Sequence, residues 1–179
     1  HSDVCIHVID AERGFESQDQ RIFHIADRNK KGVVILVNKW DLLDKSTQTA
    51  KKAGEQIKKK IAPFTDVPIV FVSALEKQRL LKGLETAIQV YKNRTQKIAT
   101  SVLNEVMLPL IDFHPPPATK GKYIQIKYCT QLPTDTPTFV FFANLPQYIK
   151  EPYKRYIENQ LREHFDFSGV PIQIYFRKK

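Results

Sequence analysis

Glycine is scarce in this sequence. Six occur in 179 residues, at 14, 32, 54, 83, 121 and 169, and none stands in the G-x-x-x-x-G-K-[ST] spacing whose backbone amides cradle a polyphosphate. A loop of that kind is excluded from these residues. Cysteine is scarcer still, with Cys5 and Cys129 alone, each in an apolar strand-like run. Two thiols so placed exclude a disulfide scaffold and read as reduced, packed side chains, which points to a cytoplasmic setting. No apolar run approaches the roughly 18 residues that cross a bilayer. No basic-then-apolar start reads as a signal peptide. The five histidines, at 1, 7, 24, 114 and 164, show no metal-ligand spacing. No Ser/His/Asp or Cys/His grouping for nucleophilic catalysis stands out, and neither a low-complexity segment nor an internal repeat is evident.

The chain is 42% hydrophobic and 26% charged, which is ordinary for a globular protein. Its length suits one or two domains. The formal charge is +9, with 18 Lys and Arg against 12 Asp and Glu in residues 1–97, and 10 against 7 in residues 98–179. Both parts are basic, which favours a polyanionic partner through counterion release. A mildly basic surface is the plainer alternative. Residues 3–10 run straight into a strand with no initiator methionine, which reads as a chain taken from something longer.

The hydrophobic pattern sets the expected elements. Val4 to Ile9 is β-branched and apolar and ends at Asp10. Ser17 to Lys31 places Ile22, Phe23, Ile25 and Ala26 on one helical face, with Gly32 as its C′ residue. Val33 to Val37 is apolar on both faces, as in a parallel strand buried between helices. Lys51 to Ile61 reads as a basic amphipathic helix, and Ile69 to Val72 as a third buried strand. Arg79 to Arg94 reads as a helix with Leu80, Leu81, Leu84, Ala87, Ile88 and Tyr91 inward. The order β-α-β-α-β-α makes a doubly wound parallel sheet. From Ile98 the pattern changes to α-β-β-α-β, with a helix at 98–111, strands at 122–128 and 138–142, a helix at 151–165 and a strand at 172–176. Two parts are expected, 1–97 and 98–179.

Asn38-Lys39-Trp40-Asp41 follows directly on the second buried strand, and ligands of open α/β sheets bind at the carboxyl ends of strands. These residue types suit guanine. Its N1–H and exocyclic amine are adjacent donors that the Asp41 carboxylate accepts. Adenine has no N1–H and would leave Asp41 unpaired, at roughly 1–3 kcal/mol. Asn38 braces the loop and meets the base edge, and the stem of Lys39 lies flat along the purine. Ser73-Ala74-Leu75 follows the third strand in the same way. A backbone N–H in that loop donates to guanine O6, and the small Ala74 side chain lets the base approach. The plainer alternative is a polar turn in which Asp41 caps a helix.

Asn-Lys-x-Asp followed by Ser-Ala resembles the base-recognition pair of P-loop GTPases. Val8-Ile9-Asp10-Ala11 with Gln18-Asp19-Gln20-Arg21-Ile22 looks like the second G domain of the Der/EngA family. The tail, Tyr153-Lys154-Arg155-Tyr156-Ile157-Glu158-Asn159 with Gly169-Val170-Pro171-Ile172 and Phe176-Arg177-Lys178-Lys179, is similar to that family's KH-like domain. Pro115-Pro116-Pro117 and Thr136-Pro137-Thr138 also match. The resemblance covers nearly the whole chain, and the tail motifs are its most specific part.

It implies an incomplete P-loop GTPase (Ras-like) parallel sheet of the α/β class followed by an α+β KH-like domain. It implies a bacterial GTPase with tandem G domains that binds GTP or GDP, with Mg²⁺ in the intact protein. Such proteins act in assembly of the large ribosomal subunit. The implied partners are that subunit or its ribosomal RNA, and the first G domain upstream in the same chain. The family places its phosphate elements (P-loop, switch I and Asp-x-x-G) upstream of Asp3. These 179 residues alone are therefore expected neither to hydrolyse GTP nor to bind it tightly. Asp166 to Gly169 spells Asp-x-x-G but comes too late in the order, and reads as a turn before the last strand.

No G-x-x-G loop of the kind that clamps nucleic acid in KH domains occurs after Ile98. Lys154, Arg155 and Arg162 on one helix are the candidate RNA or ribosome contacts, with Lys120, Lys122, Arg177, Lys178 and Lys179 nearby in pattern. Lys51, Lys52, Lys58, Lys59 and Lys60 form a second basic stretch. Solvated faces, or contacts to the upstream G domain, are the alternative for the first group, and a solvated face is the commoner explanation for the second. Two other readings stay open. One is an RNA- or ribosome-binding adapter with a vestigial nucleotide site. The other is a different P-loop enzyme in which Asn38 and Asp41 are structural. Without preceding strands, the first strand would be an apolar sheet edge, which invites pairing with another chain.

Overall fold

The computed structural model describes residues 2–43 and 47–178. His1 and Lys179 lie outside the described residues. The chain forms two compact units, one from residues 1–94 with 167–171 and the other from residues 95–166 with 172–179.

Unit one runs β1 (Val4–Asp10), α1 (Ser17–Arg28), β2 (Gly32–Asn38), α2 (Thr47–Ile61), β3 (Ile69–Phe71) and α3 (Leu80–Thr95). The sheet order is β1-β2-β3, all parallel. The three strands are thus neighbours and β1 lies at an edge. Side chains alternate across a strand, and β2 shows why both its faces are apolar. Val33, Ile35 and Val37 join a cluster with Phe23 of α1 and Ile57 and Ile61 of α2. Val34 and Leu36 join Val72, Val90 of α3 and Val170 in a second cluster.

Two helices turn differently from the expected faces. In α1, Phe23 and Ala26 are buried, but Ile22 and Ile25 are 47% and 58% exposed. The stripe that meets the sheet follows the 23/26 spacing, and its neighbours are rotated off it. The helix also ends at Arg28, and Lys30 (φ 56°) takes the left-handed conformation expected after the helix. Gly32 starts β2 instead, where a Cβ would come 2.7 Å from Val90 Cγ1. In α3 the buried residues are Gly83, Val90, Asn93 and Arg94. Leu81, Leu84, Ile88 and Tyr91, expected inward, are exposed. Periodicity locates an apolar face without saying which element of the chain it meets.

The Asp166–Gly169 stretch is a turn before the last strand, with the Val170 N–H donating to Phe167 O at 2.9 Å. Gly169 has φ +76°. Its N–H donates to Asp66 O at 2.7 Å, and its carbonyl accepts from Val33 N at 2.8 Å.

Unit two holds α4 (Thr100–Phe113), β4 (Ile126–Leu132), β5 (Thr138–Ala143), α5 (Glu151–His164) and β6 (Gln173–Lys178). The order is β4-β5-β6, antiparallel then parallel. Leu103, Met107 and Ile111 of α4 and Tyr153, Ile157 and Leu161 of α5 are buried at helical i, i+4 spacing. The expected strand at 122–128 begins later. Residues 119–122 form a tight turn with Lys120 at φ 52° and Gly121 at φ 72°, which delays pairing to Ile126. Asn104 of α4 pairs with the β4 edge: the Cys129 N–H donates to Asn104 Oδ1 at 2.8 Å, and Asn104 Nδ2 donates to Cys129 O at 2.8 Å.

Among the described residues no helix is long and apolar enough to cross a membrane. No group of three or more His, Cys, Asp or Glu stands ready for a metal ion among them either.

Candidate functional site

The carboxyl ends of all three strands of unit one meet at one place. β2 ends at Asn38, and Lys39 reverses the chain in a left-handed conformation (φ 62°). A single 3₁₀ turn follows over Trp40–Leu42. This loop is tied to both neighbours. The Ala11 N–H, just past β1, donates to Asn38 O at 2.9 Å. The Trp40 N–H donates to Val72 O at 3.1 Å, just past β3. The Trp40 indole packs on Phe71 of β3 with ring centroids 4.3 Å apart. Trp40 fills the variable position of the motif, so nothing in the pattern flagged it.

The Asn38 and Ser73 loops are joined directly. The Ala74 N–H donates to Asn38 Oδ1 at 2.9 Å. Asn38 thereby ties the two loops together and occupies the Ala74 N–H. Ser73 is buried and shapes its own loop: its Oγ accepts from Glu76 N at 3.1 Å, and its backbone exchanges two hydrogen bonds with Gln78. Leu75 is carried outward, 82% exposed, and its N–H has no acceptor among the described residues.

Asp41 stands out. Its Oδ1 is the one buried side-chain oxygen or nitrogen among the described residues that lacks a hydrogen-bond partner. A buried acceptor left unpaired costs roughly 1–3 kcal/mol, and more when charged. That oxygen is thus an acceptor with no donor among the described residues. Asp41 Oδ1 makes no capping bond among the described residues.

Lys39 reaches toward β1. Its Nζ is 2.7 Å from Asp10 Oδ2 and 4.0 Å from Glu12 Oε2. The hydrogen bond from Lys39 is the main cause holding the Asp10 carboxyl below its ordinary value, with the Glu12 N–H adding to it. The same bond raises Lys39. Asp10 was legible as a strand end and as part of the Val8-Ile9-Asp10-Ala11 resemblance, with no sign of its bond to Lys39.

A cavity of about 110 Å³ lies beside the loop, lined by Phe15, Trp40, Ala53 and Ile57 among others, and a cleft of about 490 Å³ opens between α2 and β3. Asp41 and Ala74 line neither.

The basic residues expected on α5 differ among themselves. Arg155 is exposed, Lys154 is half-buried, and Arg162 is held by Glu158, with Nη2 and Nε 3.1 and 3.2 Å from Oε1. One of the three charges is thus largely answered within the helix. The α2 lysines are exposed, except that Lys60 Nζ also donates to Phe15 O.

Residues 1–110 match the elongation factor Tu GTP-binding domain, and residues 97–177 match the KH-domain-like C-terminal region of EngA bacterial GTPase enzymes. The chain is 66% identical over 179 residues to GTPase Der of Flavobacterium johnsoniae and 63% identical to that of Flavobacterium psychrophilum. It is 61% identical over 180 residues to GTPase Der of Bacteroides fragilis. In each case the match covers 99% or 100% of this chain and 41% of the relative, so the chain spans about two fifths of the length of these proteins. With its parallel α/β unit and a KH-like match over the rest, the chain belongs to the GTP-binding-domain family represented by elongation factor Tu, within the Der/EngA group of GTPases.

Proposed function

We propose that unit one carries the base-reading half of a guanine-nucleotide site. The observation that carries this is the buried Oδ1 of Asp41, which has no hydrogen-bond partner among the described residues, on a loop bonded to the Ala74 loop. Asp41 takes the N1–H and exocyclic amine of guanine. Lys39 lies along the ring, Asn38 holds the two loops in register, and Ser73 shapes the second loop. With the Ala74 N–H engaged by Asn38, the exposed Leu75 N–H serves O6, and the Ala74 methyl leaves room for the ring. GTP or GDP is the ligand of the longer protein, with Mg²⁺ at its phosphates. Among the described residues no group of three or more His, Cys, Asp or Glu could hold that ion.

In this reading residues 1–97 are the C-terminal half of a G domain and residues 98–179 a KH-like domain. The exposed apolar residues Ile6 and Val8 of β1 and Leu81, Leu84, Ile88 and Tyr91 of α3 are then the surface covered by the rest of that domain. The longer protein is a cytoplasmic bacterial GTPase acting in large-subunit ribosome assembly through ribosomal RNA. The exposed basic residues of α5 and α2 support an anionic partner of that kind.

The test is base preference. Guanosine, xanthosine and adenosine are titrated into the chain while the indole signal of Trp40, its only tryptophan, is followed by NMR. Wild type is expected to prefer guanosine. Asp41→Asn is expected to turn that preference toward xanthosine, because the amide donates where the carboxylate accepted. An unchanged preference in Asp41→Asn would remove Asp41 from this role.

A further inference from the structure

The Lys39–Asp10 contact joins two strand ends in a way the base-reading motif does not require. Lys39 is the second residue of that motif, and its side chain remains about half exposed at 49%. A free lysine of this kind samples many rotamers, and ordering it against a ligand costs affinity. Here its ammonium is already placed, 2.7 Å from the Asp10 carboxylate. That carboxylate is itself fixed. Asp10 Oδ1 accepts from the Glu12 N–H at 2.9 Å, Asp10 O accepts from the Gly14 N–H at 2.9 Å, and the next residue's N–H bonds to Asn38 O. The two carboxylate oxygens divide the work, one holding the turn and the other holding Lys39.

We infer that Asp10 is a positioning residue for guanine recognition, presetting the Lys39 stem in the conformation that covers the purine ring. The inference rests on the reading of the base site given above and extends it to a residue outside the motif. Asp10 touches no ligand in this scheme and acts only through Lys39. The second acidic neighbour, Glu12, is 4.0 Å from the same ammonium and more exposed than Asp10, so it contributes less.

The substitution that isolates the effect is Asp10→Asn. Its amide oxygen still accepts from the Glu12 N–H, so the turn is kept, while the charge on the Lys39 side is removed. Releasing one rotamer-rich side chain weakens guanosine binding about three- to tenfold. Lys39→Met keeps an apolar stem and removes the ammonium, and it supplies the second arm. Guanosine affinity of this chain is read from the Trp40 signal for wild type, Asp10→Asn, Lys39→Met and the double variant. Lys39 Nζ mobility is measured by ¹⁵N relaxation in the unliganded wild type and Asp10→Asn.

The inference expects three results. Asp10→Asn loses affinity and frees the Lys39 ammonium. In the Lys39→Met background the same change has no further effect. Asp41→Asn still switches toward xanthosine with Asp10 intact. If Asp10→Asn matches wild type in affinity or in Lys39 mobility, or weakens binding equally with Met at 39, the inference is overturned while the base reading stands. If wild type shows no preference for guanosine at saturating ligand, the base reading fails and this inference with it.

Discussion

Gly169→Ala tests the packing that sets unit one apart from a simple three-stranded sheet. Gly169 sits at φ +76°, and an added Cβ would meet Val90 Cγ2 at 2.5 Å, Val33 O at 2.8 Å and Pro68 Cδ at 3.1 Å. The Val33 carbonyl belongs to the central strand and cannot retreat without distorting the β2 ladder. Val90 is 1% exposed and packs with Val34, Leu36 and Val170, so its methyl has little room to rotate away. An L-residue in the left-handed region costs about 1–2 kcal/mol. Forcing a methyl into a filled core costs about a further 1–3 kcal/mol. The expected loss is therefore about 2–5 kcal/mol in all. Gly14→Ala is the control, since Gly14 has a similar φ of +72° and no atom within 4 Å of an added Cβ. It should lose only the conformational part, about 1–2 kcal/mol. Urea unfolding followed by Trp40 fluorescence reports unit one, where that tryptophan lies. If Gly169→Ala proves no less stable than Gly14→Ala, the steric reasoning is wrong.

Further outcomes follow from the same structure. Cys129 is fully buried and burial pushes its thiol from 9.0 up to about 12, so it should resist a thiol reagent at pH 8 that modifies the partly exposed Cys5. One equivalent should react fast and a second only on unfolding; two fast equivalents would contradict the packing. The sign of its pH effect is set by a folded value above the unfolded one. Its contribution to stability is whole below about pH 9 and falls as pH rises toward about 12, measurable as a declining urea midpoint. Asn104→Ala leaves both the N–H and the C=O of Cys129 without their side-chain partner. An unpaired buried backbone group costs about 1–3 kcal/mol. Unit two should lose at least that much, since two such groups are left, and amide exchange at Cys129 should accelerate. The Asp10–Lys39 bond lowers one pKa and raises the other. It should be intact across the neutral range, lost below the ordinary aspartate range and again above the ordinary lysine range, as read from the Lys39 Nζ shift.

Much of the molecule could be read before any coordinates. A strand apolar on both faces forces two covering layers, and β2 has them. A polar Asn-Lys-x-Asp segment placed at the end of such a strand lies where α/β sheets open to ligands, and there Asp41 Oδ1 has no hydrogen-bond partner among the described residues. The buried residues of α4 and α5 stand in i, i+4 rows, Leu103, Met107 and Ile111 in one and Tyr153, Ile157 and Leu161 in the other.

What sequence periodicity could not supply is which of several apolar faces meets this sheet. Leu81, Leu84, Ile88 and Tyr91 show as clear a helical spacing as any in the chain, yet they are exposed, while Gly83 and Val90 face Leu36 and its neighbours. A helical pattern records that burial occurs somewhere, and only the placement of distant segments says against what. The site shows the same division. Residue types and order along the chain marked Asn38, Asp41 and Ala74. The bond from Ala74 to Asn38 spans 36 residues, and Lys39 meets Asp10 across a whole β-α-β crossover. Contacts of that range are made by the register of parallel strands, which brings three loop ends together and leaves no local trace in the sequence.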